Sequence, residues 1–263
     1  MYSMRDPYDR DPYDEPAWAT HLDRVTHLVL VDGRLVDVWS EPVDGTRWQR
    51  HADQFDRERP LPPSPPRPPE YAVALAWLAD LCGGPAALSD LDAEPLTDDA
   101  LDLPETPTLA TRHRLERTAE LLDSAATSCF DAETGHALRR ALLRVWHDEQ
   151  ETALHLRSPA HLAGGVCWAV GKANGLFGGQ GVTTQRAVQE ALGAPSALST
   201  AGPTIQRALR GFAPTSPARP HGAPDLLALG QPALLLGATR RLLVRLRGRA
   251  EEARSAAESG VLP

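Results

Sequence analysis

The chain has 263 residues, 42% of them hydrophobic and 24% charged. That balance belongs to a globular protein able to bury a core, and it excludes a fully disordered or fibrous chain. Aromatic residues make up only 5%, too few for a base-stacking platform that grips single-stranded nucleic acid.

The net charge of −8 conceals a segregation. Residues 1–135 carry 12 basic against 27 acidic side chains, and residues 136–263 carry 15 against 8. A basic half is suited to phosphate, and an acidic half resists non-specific adhesion. Attraction between the two halves within the fold accounts for the same pattern. Lys172 is the one lysine, so the positive charge is almost wholly arginine.

Residues 1–18 hold the tandem RDPYD-RDPYD. Rich in Asp, Pro and Tyr, they are expected to form a disordered tail. With no apolar leader at the N-terminus and no run of about 20 apolar residues, neither a signal peptide nor a membrane span is expected, and the chain reads as cytoplasmic. In residues 19–58, THLVLV and RLVDVW are β-rich runs joined at Asp32-Gly33, which predicts a tight hairpin. Two strands alone are marginal in water, so the hairpin needs something else to lie on. Residues 59–70 are a proline-rich linker, extended and semi-rigid.

From Tyr71 the periodicity becomes helical. Val73, Trp77 and Leu81 share a face of a helix that stops at Gly83-Gly84. The acidic, proline-broken stretch 88–107 reads as a surface loop with at most a short turn. Two amphipathic helices follow over 109–130 and 136–156, with Leu115, Ala119 and Leu122 inward on the first. On the second, Leu138, Leu142 and Val145 face inward, and Arg139, Arg140 and Arg144 face mostly outward.

Ser158 and Pro159 are suited to the N-cap and first position of the next helix. Leu162, Val166, Ala169, Val170 and Ala173 make it apolar nearly all round. Gly164, Gly165 and Gly171 each cost about 1 kcal/mol relative to alanine inside a helix. Close approach of neighbouring helices offsets that cost, so this helix is expected at the centre of a bundle.

Thr183 or Thr184 caps a short helix that ends at Leu192, with Gly193 as its stop. A second short helix starts no earlier than about Thr200 and runs to about Phe212, with Ile205, Ala208, Leu209 and Phe212 as its apolar stripe. Thr204, Gln206, Arg207 and Arg210 occupy its other side. Arginine pairs bidentately with guanine and glutamine with adenine, so these residues have the chemistry of a DNA-reading helix. Against it, Gly202-Pro203 keeps the helix short, and GAPSALSTA exceeds the usual turn of a helix-turn-helix. An amphipathic surface helix shows the same polar face.

The run SPAHLAGGVCWAVGKANGLF, followed by TTQRAVQEALGAPS and TIQRAL, resembles an uncharacterised bacterial family. That family, a domain of unknown function from high-GC Gram-positive bacteria, has a CWAVGKAN-like helix and a helix-turn-helix-like pair. The resemblance extends through LAWLADLCGG and SCFDAETGHALRRALLRV to APDLL, roughly Tyr71 to Leu227. The same segment is more weakly similar to the cyclin-like repeat of transcription factor IIB. Here Gly202-Pro203 departs from the continuous last helix of that repeat. The resemblance implies a mainly α fold and carries no settled activity.

A basic C-terminal helix within residues 228–258 sets Leu235, Leu242 and Leu246 on one seam. Arg240, Arg241, Arg245, Arg247 and Arg249 flank it as a candidate phosphate-facing patch. The alternative is a packing helix whose arginines lie along apolar surface and pair with the acidic half.

No catalytic motif of the nucleophile-elbow, phosphate-loop, dinucleotide or zinc-protease kind is present. Glu151 and His155, four apart, read as an ordinary helix contact and not as a metal site. The glycines of 175–181 read as an inter-helix turn. Cys82, Cys129 and Cys167 are too scattered for a zinc knuckle or disulfide frame, and reduced thiols are expected.

The sequence therefore predicts a mainly α fold: a helical domain over 71–227 with a cyclin-like, helix-turn-helix-like end, and a small N-terminal β-hairpin. The expected function is DNA binding or association with transcription. The alternative is a protein-interaction adaptor that uses the bundle or the acidic half. No enzyme activity, cofactor, small-molecule substrate or membrane partner is expected; double-stranded DNA or another protein is.

Overall fold

The computed structural model describes residues 24–58, 67–98, 102–177, 181–211 and 216–259. The expected tail at 1–18, most of the proline linker, and Phe212 lie outside them. The fold is mainly α with one small β-hairpin, as the periodicities predict. It divides into two compact units, one up to Arg67 and one from Pro68.

In the first unit, β1 (Arg24–Val31) pairs antiparallel with β2 (Arg34–Pro42). The turn residues Asp32 and Gly33 both have positive φ, 50° and 77°, which matches the right-handed strand twist. Leu28 pairs with Val38, and Thr26 with Ser40 through a 2.8 Å hydroxyl contact. His27 stacks on its partner Trp39, ring centroids 4.9 Å apart. The pairing is regular to Val29↔Asp37 and resumes at Leu30↔Leu35, so Val36 is an extra residue carried by β2. A helix that the sequence pattern did not predict, α1 (Gln49–Glu58), follows. Its Ala52 is buried, as is Val43 just beyond β2.

The second unit is a helical assembly with two cores. The larger surrounds α7 (Pro159–Ala173), on which α4 (Leu109–Cys129), α5 (Ala132–Asp148) and α9 (Gly202–Arg210) pack. The expectation of a buried central helix is met: Leu162, Val166, Ala169, Val170 and Ala173 are all inaccessible. Its glycines are where neighbours come closest. A Cβ on Gly165 would lie 2.6 Å from Ile205 of α9, and one on Gly171 2.3 Å from the Phe177 ring. Ser158 caps the helix by accepting from the His161 amide.

The smaller core joins α2 (Glu70–Cys82), α3 (Pro85–Ser89) and α10 (Gly237–Glu258), with Trp77, Leu78, Leu81 and Leu243 buried. Gly83 ends α2 at φ 89° and lies so close to Gly230 that a Cβ would meet its carbonyl oxygen at 2.3 Å. The extended backbone at Leu235 ties the two cores together: Leu234 and Leu236 enter the larger core, and Leu235 the smaller. Alternation along an extended strand of chain sends neighbours to opposite sides.

Three local expectations change. The helix predicted over 136–156 begins earlier, because the Asp131 carboxylate accepts from the Thr134 amide and hydroxyl and caps it. It also breaks at Glu149 into α5 and α6 (Gln150–His155). The stretch 88–107 is more than a surface loop: α3 opens ahead of it and runs into it, and Leu88, Leu91 and Leu96 are buried. The α10 seam is Thr239, Leu243 and Ala250, with Leu246 half-buried. Leu235, which precedes the helix, and Leu246 pack in the smaller core as predicted, and Leu243 takes the buried place predicted for Leu242.

Candidate interaction surfaces

The helix-turn-helix reading depends on α8 (Gln185–Ala191) and α9. Thr184 caps α8 by accepting from the Ala187 amide, and Gly193 turns the chain at φ 58°. The packing is not that of a paired unit, however. α8 lies mainly on α4 and α7, and α9 mainly on α7 and α5. A reading helix presents its N-terminal residues to base edges. Here the start of that end is packed, with only Pro203 exposed: Ala201 is 5% exposed, and a Cβ on Gly202 would sit 2.4 Å from the Trp168 ring. Thr204 and Gln206 are half-buried, and Arg207 is exposed.

Arg210 points into the protein instead of toward a duplex. It pairs with Asp80 of α2 at 2.5 Å, their side chains 15% and 17% exposed, and its other amino group donates to Ser216. Two of the five C-terminal arginines are likewise engaged. Arg240, with its side chain 13% exposed, pairs with Asp92 at 2.7 Å and donates to the Leu235 and Pro232 carbonyls. Arg247 donates to the carbonyls of Leu88 and Ser89, closing α3 against α10. These three arginines bond to carboxylates and carbonyls of the fold itself. The basic half thus reaches into the acidic stretch 88–98, one of the two explanations the charge segregation offered.

Arg241, Arg245 and Arg249 are exposed at four-residue spacing along α10, a stripe about 12 Å long at 1.5 Å rise per residue. No hydrogen bond or ion pair engages them among the described residues.

Two of the larger grooves among the described residues lie in the second unit. One of about 570 Å³ runs beside α2 and α10, lined by Tyr71, Trp77, Leu246 and Arg249 among others. The other, about 460 Å³, is polar, and its charges face one another: His136 is 3.9 Å from Asp98, and Arg139 is 3.7 Å from Asp123. Among the described residues no group of three His, Cys, Asp or Glu side chains is arranged to hold a metal. The His155 ring bonds the Glu151 backbone carbonyl at 2.7 Å, not its carboxylate. Cys82 is buried in the smaller core, and burial pushes its thiol up to about 11, partly offset by Arg247 and Arg240. Burial also raises Cys167 and Cys129.

The surface that sequence reasoning undervalued is the hairpin. Leu28, Leu30, Val31, Leu35, Val36 and Val38 are each at least half exposed. Alternating apolar residues signal a buried strand face, and the sequence could not reveal that Leu28, Leu30, Leu35 and Val38 are exposed here. Among the described residues no helix is long and apolar enough to cross a membrane. No family model, curated protein or solved structure matches the chain.

Proposed function

We propose that the chain is a protein-interaction adaptor whose docking element is the β1–β2 hairpin. The observation that carries this reading is the uncovered aliphatic surface of Leu28, Leu30, Val36 and Val38. Burying such a surface is favourable at roughly 25 cal/mol per Å², and a two-stranded sheet gains stability from a partner that adds to it. The arginines weigh the same way. Arg210, Arg240 and Arg247 have partners inside the fold, and a DNA reader needs them free.

A second reading has one observation in its favour. The Arg241, Arg245 and Arg249 stripe is open, and it suits sequence-independent contact with phosphates. One paired experiment separates the two. Duplex DNA is titrated by fluorescence anisotropy from low to physiological salt, and a photo-crosslinker at position 38 is activated in source-cell extract. The adaptor reading expects a protein crosslink that disappears when Leu28→Ser/Leu30→Ser is added beside the crosslinker, with no saturable DNA binding at physiological salt. Tight DNA binding with a steep salt slope, weakened by alanine at 241, 245 and 249, would overturn it. So would the absence of any protein crosslink.

A further inference from the structure

Resting on the adaptor reading, we infer that the first partner of the hairpin is a second copy of this chain, joined antiparallel through the outer edge of β1. A two-stranded sheet has two open edges, and here they differ. β2 carries Arg34, Asp37, Glu41 and Pro42, and it also carries the extra residue Val36. Charges, proline and bulges are the devices by which proteins close an edge to pairing. β1 has none of them after Arg24: Val25 to Val31 reads VTHLVLV, without a formal charge or a proline. Among the described residues the backbone of β1 bonds only to β2. Among the described residues one edge is therefore protected and the other carries none of these devices, although Arg24 to Thr26 border a groove shared with His51 and Phe55 of α1.

Self-pairing also satisfies register. A two-fold axis perpendicular to the sheet sets residue i opposite residue j with i and j on the same face, so the axis must pass through a residue. Centred on Leu28, it sets Leu28 opposite Leu28, His27 opposite Val29, Thr26 opposite Leu30 and Val25 opposite Val31. No charge meets a like charge, and Arg24 falls beyond the paired residues. Centred on His27, it would set two imidazoles face to face, which protonation would oppose. The result is a four-stranded sheet in the order β2–β1–β1–β2, past the three strands a sheet needs for independent stability. The aliphatic rows of Leu28 and Val38 then run continuously across both copies.

The full chain is measured by sedimentation velocity over a wide concentration range, as wild type, Leu28→Lys, Leu28→Glu, and an equal mixture of the two variants. The expected wild type is a dimer. Each variant sets like charges together at the axis and weakens association by more than about a hundredfold. The mixture sets lysine opposite glutamate and restores the dimer, which a variant that merely failed to fold could not do. A wild type that stays monomeric, or a dimer indifferent to Leu28→Lys, would overturn the inference. The two failures are distinguishable: a monomeric wild type whose position 38 still crosslinks another protein removes self-pairing and keeps the adaptor reading, and a monomeric wild type with no crosslink removes both.

Discussion

Arg210 and Asp80 join α9 to α2 through a 2.5 Å ion pair with both side chains less than one-fifth exposed. Each partner leaves the other's charge stranded if removed, and a stranded, largely buried charge is costly. Arg210→Ala is therefore expected to lower stability by about 2 kcal/mol, with Asp80→Ala close behind. Their double variant should lose less than the sum, a coupling that denaturant titration of all four proteins measures. Additive effects would mean that the pair is incidental and that Arg210 is available for another role.

Asn174 is the other fixed point between cores. It is 8% exposed, and its side-chain amide donates to the carbonyls of Val170 and Leu234 while its oxygen accepts from the Leu236 amide. These bonds hold the extended backbone at 234–236, from which leucines enter both cores. Asn174→Ala leaves buried backbone groups without partners, at about 1–3 kcal/mol each. The expected result is a fall in midpoint together with loss of amide-exchange protection over 232–240. A variant that keeps that protection would show that the leucines alone hold the segment.

How much of this was legible in the sequence divides along physical lines. Periodicity found the buried faces of α4, α5 and α7, because residues such as Leu115, Leu138 and Val166 repeat at helical spacing and have no other use. The cap at Ser158 and the turn at Asp32-Gly33 were legible for the same reason: few residues suit those positions. The destinations of the arginines were not. Arg240, Arg241, Arg245, Arg247 and Arg249 look alike in sequence, and only their places on the folded helix decide which meet Asp92 or the α3 carbonyls and which are exposed. α1 was missed because its sequence QRHADQFDRE has almost no apolar run, and Ala52 is the buried contact it makes. The break at Glu149 leaves no proline or glycine to announce it.

Glycine substitutions separate packing from propensity. Gly202 and Gly248 both lie in helices, but a Cβ on Gly202 would meet the Trp168 ring at 2.4 Å, and one on Gly248 would meet nothing within 4 Å. Gly202→Ala is expected to cost about 1–3 kcal/mol through overpacking. Gly248→Ala is expected to stabilise α10 by about 0.5–1 kcal/mol, since alanine restricts the unfolded chain and suits the helix. Thermal unfolding of the two proteins reads the opposite signs directly. A destabilising Gly248→Ala would place a contact on that face of α10, beside the open arginines.

The three thiols give a pH-dependent test of the two cores. A thiol reacts as thiolate, so a raised pKa means a smaller reactive fraction at a given pH. With Cys82 pushed up to about 11, only about one part in a thousand is thiolate at pH 8, and the fraction grows roughly tenfold per pH unit up to that value. Cys82 and Cys167 are also fully enclosed, whereas Cys129 is half-buried at the end of α4. Labelling the native protein at pH 8 should therefore modify one cysteine per chain, Cys129, with the other two following only at the rate of unfolding. Raising the pH to 9 should speed Cys129, and denaturant should release all three together. If Cys82 in the native protein reacted as fast as Cys129, the α2–α10 core would have to open freely. The bonds from Arg240 and Arg247 to the 88–92 segment would then hold too weakly to keep those arginines from an outside partner.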